Sequence, residues 1–132
     1  RSTLSSSSAS SDVYKRQIMQ RSSKVTLDLW GTALETASTF SVSTWYNLTI
    51  THNNTTNACV IYINGSLDAS STLTASYTGS GNNCRIAGPI IESGVYHDEL
   101  DAKIAQVLCY DKIITAAEVL QNYNAIRSRF GV

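Results

Sequence analysis

The chain is poor in the features that announce many functions. It has one proline, Pro89, and seven glycines in 132 residues, which excludes collagen-like and proline-rich architectures. Its three cysteines, Cys59, Cys84 and Cys109, form no Cys-x-x-Cys pair, so zinc-ribbon and thioredoxin-type chemistry have no starting point. Lys+Arg and Asp+Glu stand at ten each with no basic run, and the electrostatic footprint of a nucleic-acid-binding protein is therefore missing. No stretch approaches the ~20 consecutive apolar residues that a membrane-spanning helix needs. No secretory signal is visible at the N-terminus.

What is present is concentrated at the C-terminal end. Thr115 and Glu118 form a T-x-x-E capping box, in which each side chain satisfies a backbone N–H at a helix start. Ile114 just before the cap and Val119 just after the box are spaced for a hydrophobic staple. Val119, Leu120, Tyr123 and Ile126 then recur at helical spacing and make one apolar stripe. Arg127 and Arg129 fall where the helix dipole favours cations, and Gly131 is a natural stop. A helix this short is marginal alone, so the stripe must pack on something.

The first seventeen residues are set aside. Residues 1–11 are mostly serine, and Asp12-Val13-Tyr14-Lys15-Arg16-Gln17 follows. That hexapeptide, with Ser7 to Ser11 before it, resembles a translated transposon adaptor of a sequencing library, so residues 1–17 are expected to be a non-native disordered tail. The natural alternative is a flexible Ser-rich linker. On the adaptor reading the gene is truncated on its 5′ side. Residues 18–132 are then one domain, the C-terminal part of a longer one. Roughly 115 residues suffice for a core but leave little margin.

The middle reads as antiparallel β structure. Lys24 to Trp30 alternates, with Val25, Leu27 and Leu29 on one face. Thr44 to Thr51 and Ala58 to Ile63 are rich in β-branched and aromatic residues. The turn-prone stretch from His52 to Asn57 makes a hairpin of those two. Asn64-Gly65 then joins Ile63 to Ser66 as a two-residue type I′ turn. Cys84 to Ile91 is a further strand candidate, with Pro89 placing its second half at an edge or bulge. Ile104 to Tyr110 is expected to be the last strand, apolar on both faces and so covered on both. Cys59 and Cys109, inside apolar runs, are expected to be small buried thiols. An odd cysteine count favours free thiols, although a disulfide from Cys84 to one of the others stays open for a secreted domain. The fold class that follows is all-β: a partial jelly-roll, an antiparallel β-sandwich with one short C-terminal α-helix.

Three ordered motifs carry a resemblance: Trp45-Tyr46-Asn47-Leu48, then Tyr62-Ile63-Asn64-Gly65, then Ile104, Val107, Tyr110, Ile114, Thr115, Glu118 and Val119. Together they resemble the laminin-G-like, concanavalin A-like lectin and glucanase jelly-roll domains of phage and bacterial type, over about Trp45 to Phe130. A complete domain of that family is longer, which implies that the first strands are missing and leaves sheet edges unpaired. The resemblance implies a recognition module, with a location on a virion or on the extracellular cell surface.

The residues raise three chemistries. Glu99-Leu100-Asp101-Ala102-Lys103 is similar to the E-x-D-x-E strand of glycoside hydrolases on this architecture. A retaining mechanism needs two carboxylates about 5 Å apart, and Lys103 occupies the third acidic position. None of Glu35, Glu92 and Glu118 has the spacing of a substitute acid. No catalytic residue is therefore assigned, and the chain is read as a non-enzyme. Asp98, Glu99 and Asp101 offer oxygen ligands that could hold calcium, but the loop lacks an EF-hand pattern. His52 and His97 have no metal-ligand spacing, so no metal site and no cofactor are assigned.

The third chemistry is sugar recognition. Two loops, Tyr77 to Asn83 and Glu92 to Asp98, combine aromatic rings with polar side chains, amides in the first. Sugars stack on aromatic faces and accept hydrogen bonds from polar neighbours, so Tyr77, Asn82, Tyr96 and His97 are the candidate ligand-binding residues. The plain alternative is that both tyrosines cap the core with their hydroxyls in water. The reading is a non-catalytic carbohydrate-binding module within a larger phage structural or bacterial surface protein. Its partners would be a surface glycan and other domains of the same polypeptide, with no nucleic acid and no membrane span. A decoration or interaction domain with no glycan ligand is the alternative, and a glycoside hydrolase fragment the third.

Overall fold

The structure, a computed structural model, describes residues 17–29, 32–74, 90–92, 95–97 and 102–132, with side chains at 18–29, 32–74 and 102–132. Three antiparallel strands come first: β1 (Gln17–Arg21), β2 (Lys24–Leu29) and β3 (Thr32–Glu35), in the order β1-β2-β3. A second sheet follows in the order β4-β5-β6, from Leu48–His52, Ala58–Ile63 and Ser66–Thr72. A two-stranded ribbon pairs β7 (Ile90–Glu92) with β8 (Val95–His97). One helix, α1 (Ala116–Phe130), closes the described chain.

The two three-stranded sheets face each other across one core. Leu27, Leu29 and Leu34 from the first sheet meet Cys59, Ile61 and Leu73 from the second. Each such aliphatic side chain contributes about 1.5–3 kcal/mol by leaving water. Alternation along β5 explains the third layer. Cys59 and Ile61 point to the inter-sheet core, whereas Tyr62, with Val60 beside it, packs on Ile114 and Val119 of the helix entry. A strand covered on both faces reads as a continuous apolar run, as Ala58–Ile63 does. The all-β expectation, a partial sandwich with one terminal helix, is what the structure contains.

Local chemistry sets the connections. Ile63 and Ser66 pair across Asn64-Gly65, both at positive φ (50° and 78°), which is the type I′ geometry expected for Asn-Gly. Asn53 Oδ1 accepts from the Thr55 and Thr56 amides at 2.8 and 3.1 Å and folds the β4–β5 loop. Around the helix start, Thr115 and Glu118 satisfy each other's backbone amides, and Ile114 and Val119 are buried together as a staple. Gly131 ends the helix in a left-handed cap at φ 69°.

Four expectations need correction. The segment from Ile104 to Tyr110 is not a strand. It is exposed, with Val107 and Leu108 at 50% and 57%. A strand exists through its neighbour, and among the described residues none lies beside it. Cys109 therefore lies exposed instead of buried. The strand begun at Thr44 starts only at Leu48, leaving Trp45 and Tyr46 outside any sheet. Leu120 is exposed, so the buried helix stripe narrows to Val119 and Tyr123.

Candidate functional site

The four residues nominated from the sequence fall unevenly. Tyr77 and Asn82 lie outside the described residues. Tyr96 and His97 sit in β8, at register positions opposite Ile91 and Ile90, and not in a loop. The Val-Tyr pair suits a strand, and Ser93-Gly94 stands between the paired Glu92 and Val95 in the sequence. The loop expected from Glu92 to Asp98 is thus largely a short ribbon. Asp98, Glu99 and Asp101, weighed for calcium and catalysis, lie outside the described residues, and so does Cys84. Among the described residues no three His, Cys, Asp or Glu side chains gather as a metal site.

Four of the carboxylates that can be followed are in structural use. Asp28 faces Arg21 at 3.8 Å, and Glu35 faces Lys24 at 3.0 Å. Glu118 accepts from Lys112 Nζ at 2.6 Å and from the Thr115 amide at 2.7 Å. The Lys112 bond first, then those from Thr115, pull its carboxyl down to about 2. A carboxyl held that low stays ionised near neutral pH and cannot serve there as a general acid.

Asp68 is a residue that sequence reasoning missed. β6 pairs Leu67 with Tyr62 and Ala69 with Ile61, leaving Asp68 as the extra residue of a bulge. Its two carboxylate oxygens accept from the Ala37 amide at 2.7 Å and the Ser38 amide at 3.1 Å, just after β3. A bulge re-aims a side chain, and here it clasps one sheet to the other.

The exposed rings lie elsewhere than expected. Trp45, 39% exposed, tilts at 44° against Phe130 at the end of α1, with ring centres 5.7 Å apart. The Arg129 guanidinium stands 5.7 Å from the centre of the same Phe130 ring. Behind Trp45, Phe40 and Tyr46 form a second pair at 4.5 Å, and the Tyr46 hydroxyl accepts from the Ser41 amide at 3.0 Å. That backbone hydrogen bond lowers the phenol pKa from its ordinary value. The stretch is anchored by Asn64. Its side-chain oxygen accepts from the Asn47 amide at 2.9 Å, and its own amide donates to the Asn47 carbonyl at 2.8 Å. The sequence signal was there: Trp45-Tyr46 sits between Ser43-Thr44 and Asn47, polar company that breaks strand alternation.

The fold has known counterparts. A family model described as the concanavalin A-like lectin/glucanases superfamily matches residues 2–120. Among solved structures the chain is similar to an S-layer domain-containing protein (residues 221–444) from Clostridium thermocellum, with a TM-score of 0.54 at 13% identity. That likeness covers 83% of this chain and 64% of the other, so the chain spans less than two thirds of that solved relative. At such low identity it speaks for the fold. No curated protein matches the chain. Among the described residues no helix is long and apolar enough to cross a membrane.

Proposed function

The chain belongs to the concanavalin A-like lectin/glucanase superfamily, and from that premise we propose that it is a non-catalytic recognition module that binds carbohydrate within a larger cell-surface or virion protein. The observation that carries this reading is the division of labour among its polar and aromatic groups. Asp28, Glu35, Asp68 and Glu118 are committed to ion pairs and backbone amides, whereas Trp45 offers exposed ring surface on a rigid two-sheet scaffold. Enzymes of the superfamily need paired free carboxylates; a lectin needs aromatic faces and polar neighbours. The likeness to an S-layer domain-containing protein supports a surface location. The ribbon residues Tyr96 and His97, with Tyr77 and Asn82, are the proposed sugar contacts.

Glycan-array binding by the purified chain tests this, with Tyr96→Ala as the paired variant. A signal that weakens in the variant supports both the function and the proposed sugar contacts. A blank array would remove the carbohydrate reading. Turnover of a β-glucan, lost in Glu99→Gln, would replace it with the hydrolase.

One observation favours a second reading, a protein-interaction domain without glycan ligand. Ile104, Val107, Leu108 and Tyr110 expose apolar surface along a segment that joins no sheet among the described residues. Such runs are contact surfaces for other protein. A blank array combined with capture of neighbouring domains of the same polypeptide would select it.

A further inference from the structure

We propose that Trp45, Phe130 and Arg129 form a second glycan-binding position, specific for a sugar that carries a carboxylate. The inference rests on the carbohydrate reading above and deepens it by naming a site and a ligand class.

Three observations converge there. Trp45 meets Phe130 at a tilt and still leaves 39% of its surface exposed. A tryptophan needed only to pin the helix end would be better covered, as Val119 and Tyr123 are at the other contacts of the same helix. The negative face of an aromatic ring attracts the polarised C–H face of a pyranose, so an exposed indole is a stacking platform. Arg129 meets the same Phe130 ring, its guanidinium 5.7 Å from the ring centre. Among the described residues neither Arg129 nor Arg127 forms an ion pair.

Arginine is selective about what it completes. Its planar fork matches a carboxylate with two parallel hydrogen bonds. Its contact with Phe130 is a cation–π arrangement, which restrains the guanidinium over the ring that Trp45 also meets. A neutral sugar would use the indole and leave the cation idle. A uronic acid, or another sugar bearing a carboxylate on the ring, uses both at once. The Asn47–Asn64 hydrogen bonds hold the Trp45 stretch to the Asn64-Gly65 turn, so the platform needs little ordering on binding.

Titration calorimetry of the whole chain with a galacturonic acid hexamer, and with its methyl ester as the uncharged counterpart, tests this. The acid is expected to bind more tightly than the ester. Raising salt from about 0.05 to 0.5 M should narrow that gap, since an exposed charge contact is screened. Arg129→Gln, an exposed change, should weaken the acid roughly five-fold and leave the ester unchanged. Trp45→Ala should weaken both, and circular dichroism of the helix checks that it still folds; if it does not, Arg129→Gln decides alone.

Equal binding of the acid by wild type and Arg129→Gln overturns the proposal. So does an ester that binds as well as the acid, or an Arg129→Gln variant that loses both alike. In each of these cases the carbohydrate reading stands and only this site falls. If neither hexamer binds, the proposal falls, and a blank glycan array would then remove the broader reading separately.

Discussion

Gly65 lies so close to Tyr123 that a Cβ on the glycine would sit 2.9 Å from Tyr123 Cδ1 and 3.1 Å from Tyr123 Cβ. The tip of the β5–β6 hairpin is therefore the seat on which the helix rests. Two demands meet at one residue: a positive φ of 78° for the turn, and no side chain where the helix arrives.

Gly65→Ala violates both demands. Left-handed backbone costs an L-residue of order 1 kcal/mol, and the overlap with a buried ring adds a packing strain of about 1–3 kcal/mol. A loss of roughly 2–4 kcal/mol in denaturant unfolding is expected. A Gly65→Ala variant within about 0.5 kcal/mol of wild type would mean that the helix does not rest there.

The Asp68 clasp makes a second prediction. Asp68→Ala frees the Ala37 and Ser38 amides, which are exposed enough to turn to water, so the loss should be modest, about 1 kcal/mol. Asp68→Asn keeps one acceptor oxygen and should fall between. Ala37 and Ser38 should exchange their amide hydrogens faster in Asp68→Ala than in wild type. Unchanged exchange at both amides would show that the two sheets are joined by their core alone.

Glu118 gives the helix a pH dependence whose sign is fixed. Its carboxyl is lowered in the folded chain, from 4.5 to about 2, mainly by the Lys112 hydrogen bond and then by Thr115. A depressed pKa means that the contribution is complete above about pH 4.5 and is lost as pH falls toward 2. Helix ellipticity should decline over that window, and Glu118→Gln should remove that part of the decline while keeping a capping-box side chain. A wild-type profile no steeper than the variant's would contradict the Lys112–Glu118–Thr115 network. Because the group is exposed, added salt should blunt the effect.

How much was legible in the sequence depended on whether the cause was local. The capping box, the staple, the Gly131 cap and the Asn64-Gly65 turn are each set by residues within a few positions, and all four stand as read. The strand from Ala58 to Ile63 was legible because a strand buried on both faces needs no alternation. The segment from Ile104 to Tyr110 has the same composition and is no strand, because pairing is decided by a distant neighbour that composition does not report. Ser22 and Ser23 turn β1 into β2, with Ser22 at φ 54°, without the glycine or asparagine that marks such turns. Of the binding candidates, Tyr96 reads as a loop residue within the polar stretch from Glu92 to Asp98, and its place in β8 comes from pairing with Ile91. The surface Trp45–Phe130 pair was hidden because eighty-five positions separate its members.

Thr26 supplies a prediction of opposite sign. It is 3% exposed in β2, and among the described residues its hydroxyl has no hydrogen-bond partner. Thr36, equally buried, accepts from the Val25 amide at 3.2 Å and donates to the Ser38 carbonyl at 2.9 Å. An unsatisfied buried hydroxyl costs about 1–3 kcal/mol, so Thr26→Val should stabilise the chain by about 1 kcal/mol while Thr36→Val should destabilise it by a similar amount. Thermal unfolding of the two variants side by side makes the comparison, and a stabilised Thr36→Val would reverse the assignment.

The exposed segment from Ile104 to Tyr110 can be tested by hydrogen exchange on the isolated chain. Among the described residues its amides donate to no backbone carbonyl, whereas β5 is paired on both sides. Exchange near the unprotected rate is expected across this stretch, with slow exchange from Cys59 to Tyr62. Tyr110 is held at its end by Asn122, whose side-chain nitrogen donates to the Tyr110 hydroxyl at 3.1 Å, so the helix fixes one end of the segment while leaving its backbone open. Val107→Lys should then be nearly neutral for the stability of the isolated chain, since an exposed position tolerates a charge within about 0.5 kcal/mol. The same change should weaken any association with neighbouring domains, because it sets an ammonium in the middle of the apolar run. Protection at Val107 and Leu108, or a large stability loss in Val107→Lys, would instead mean that the segment is paired in solution and that its apolar side chains belong to the core.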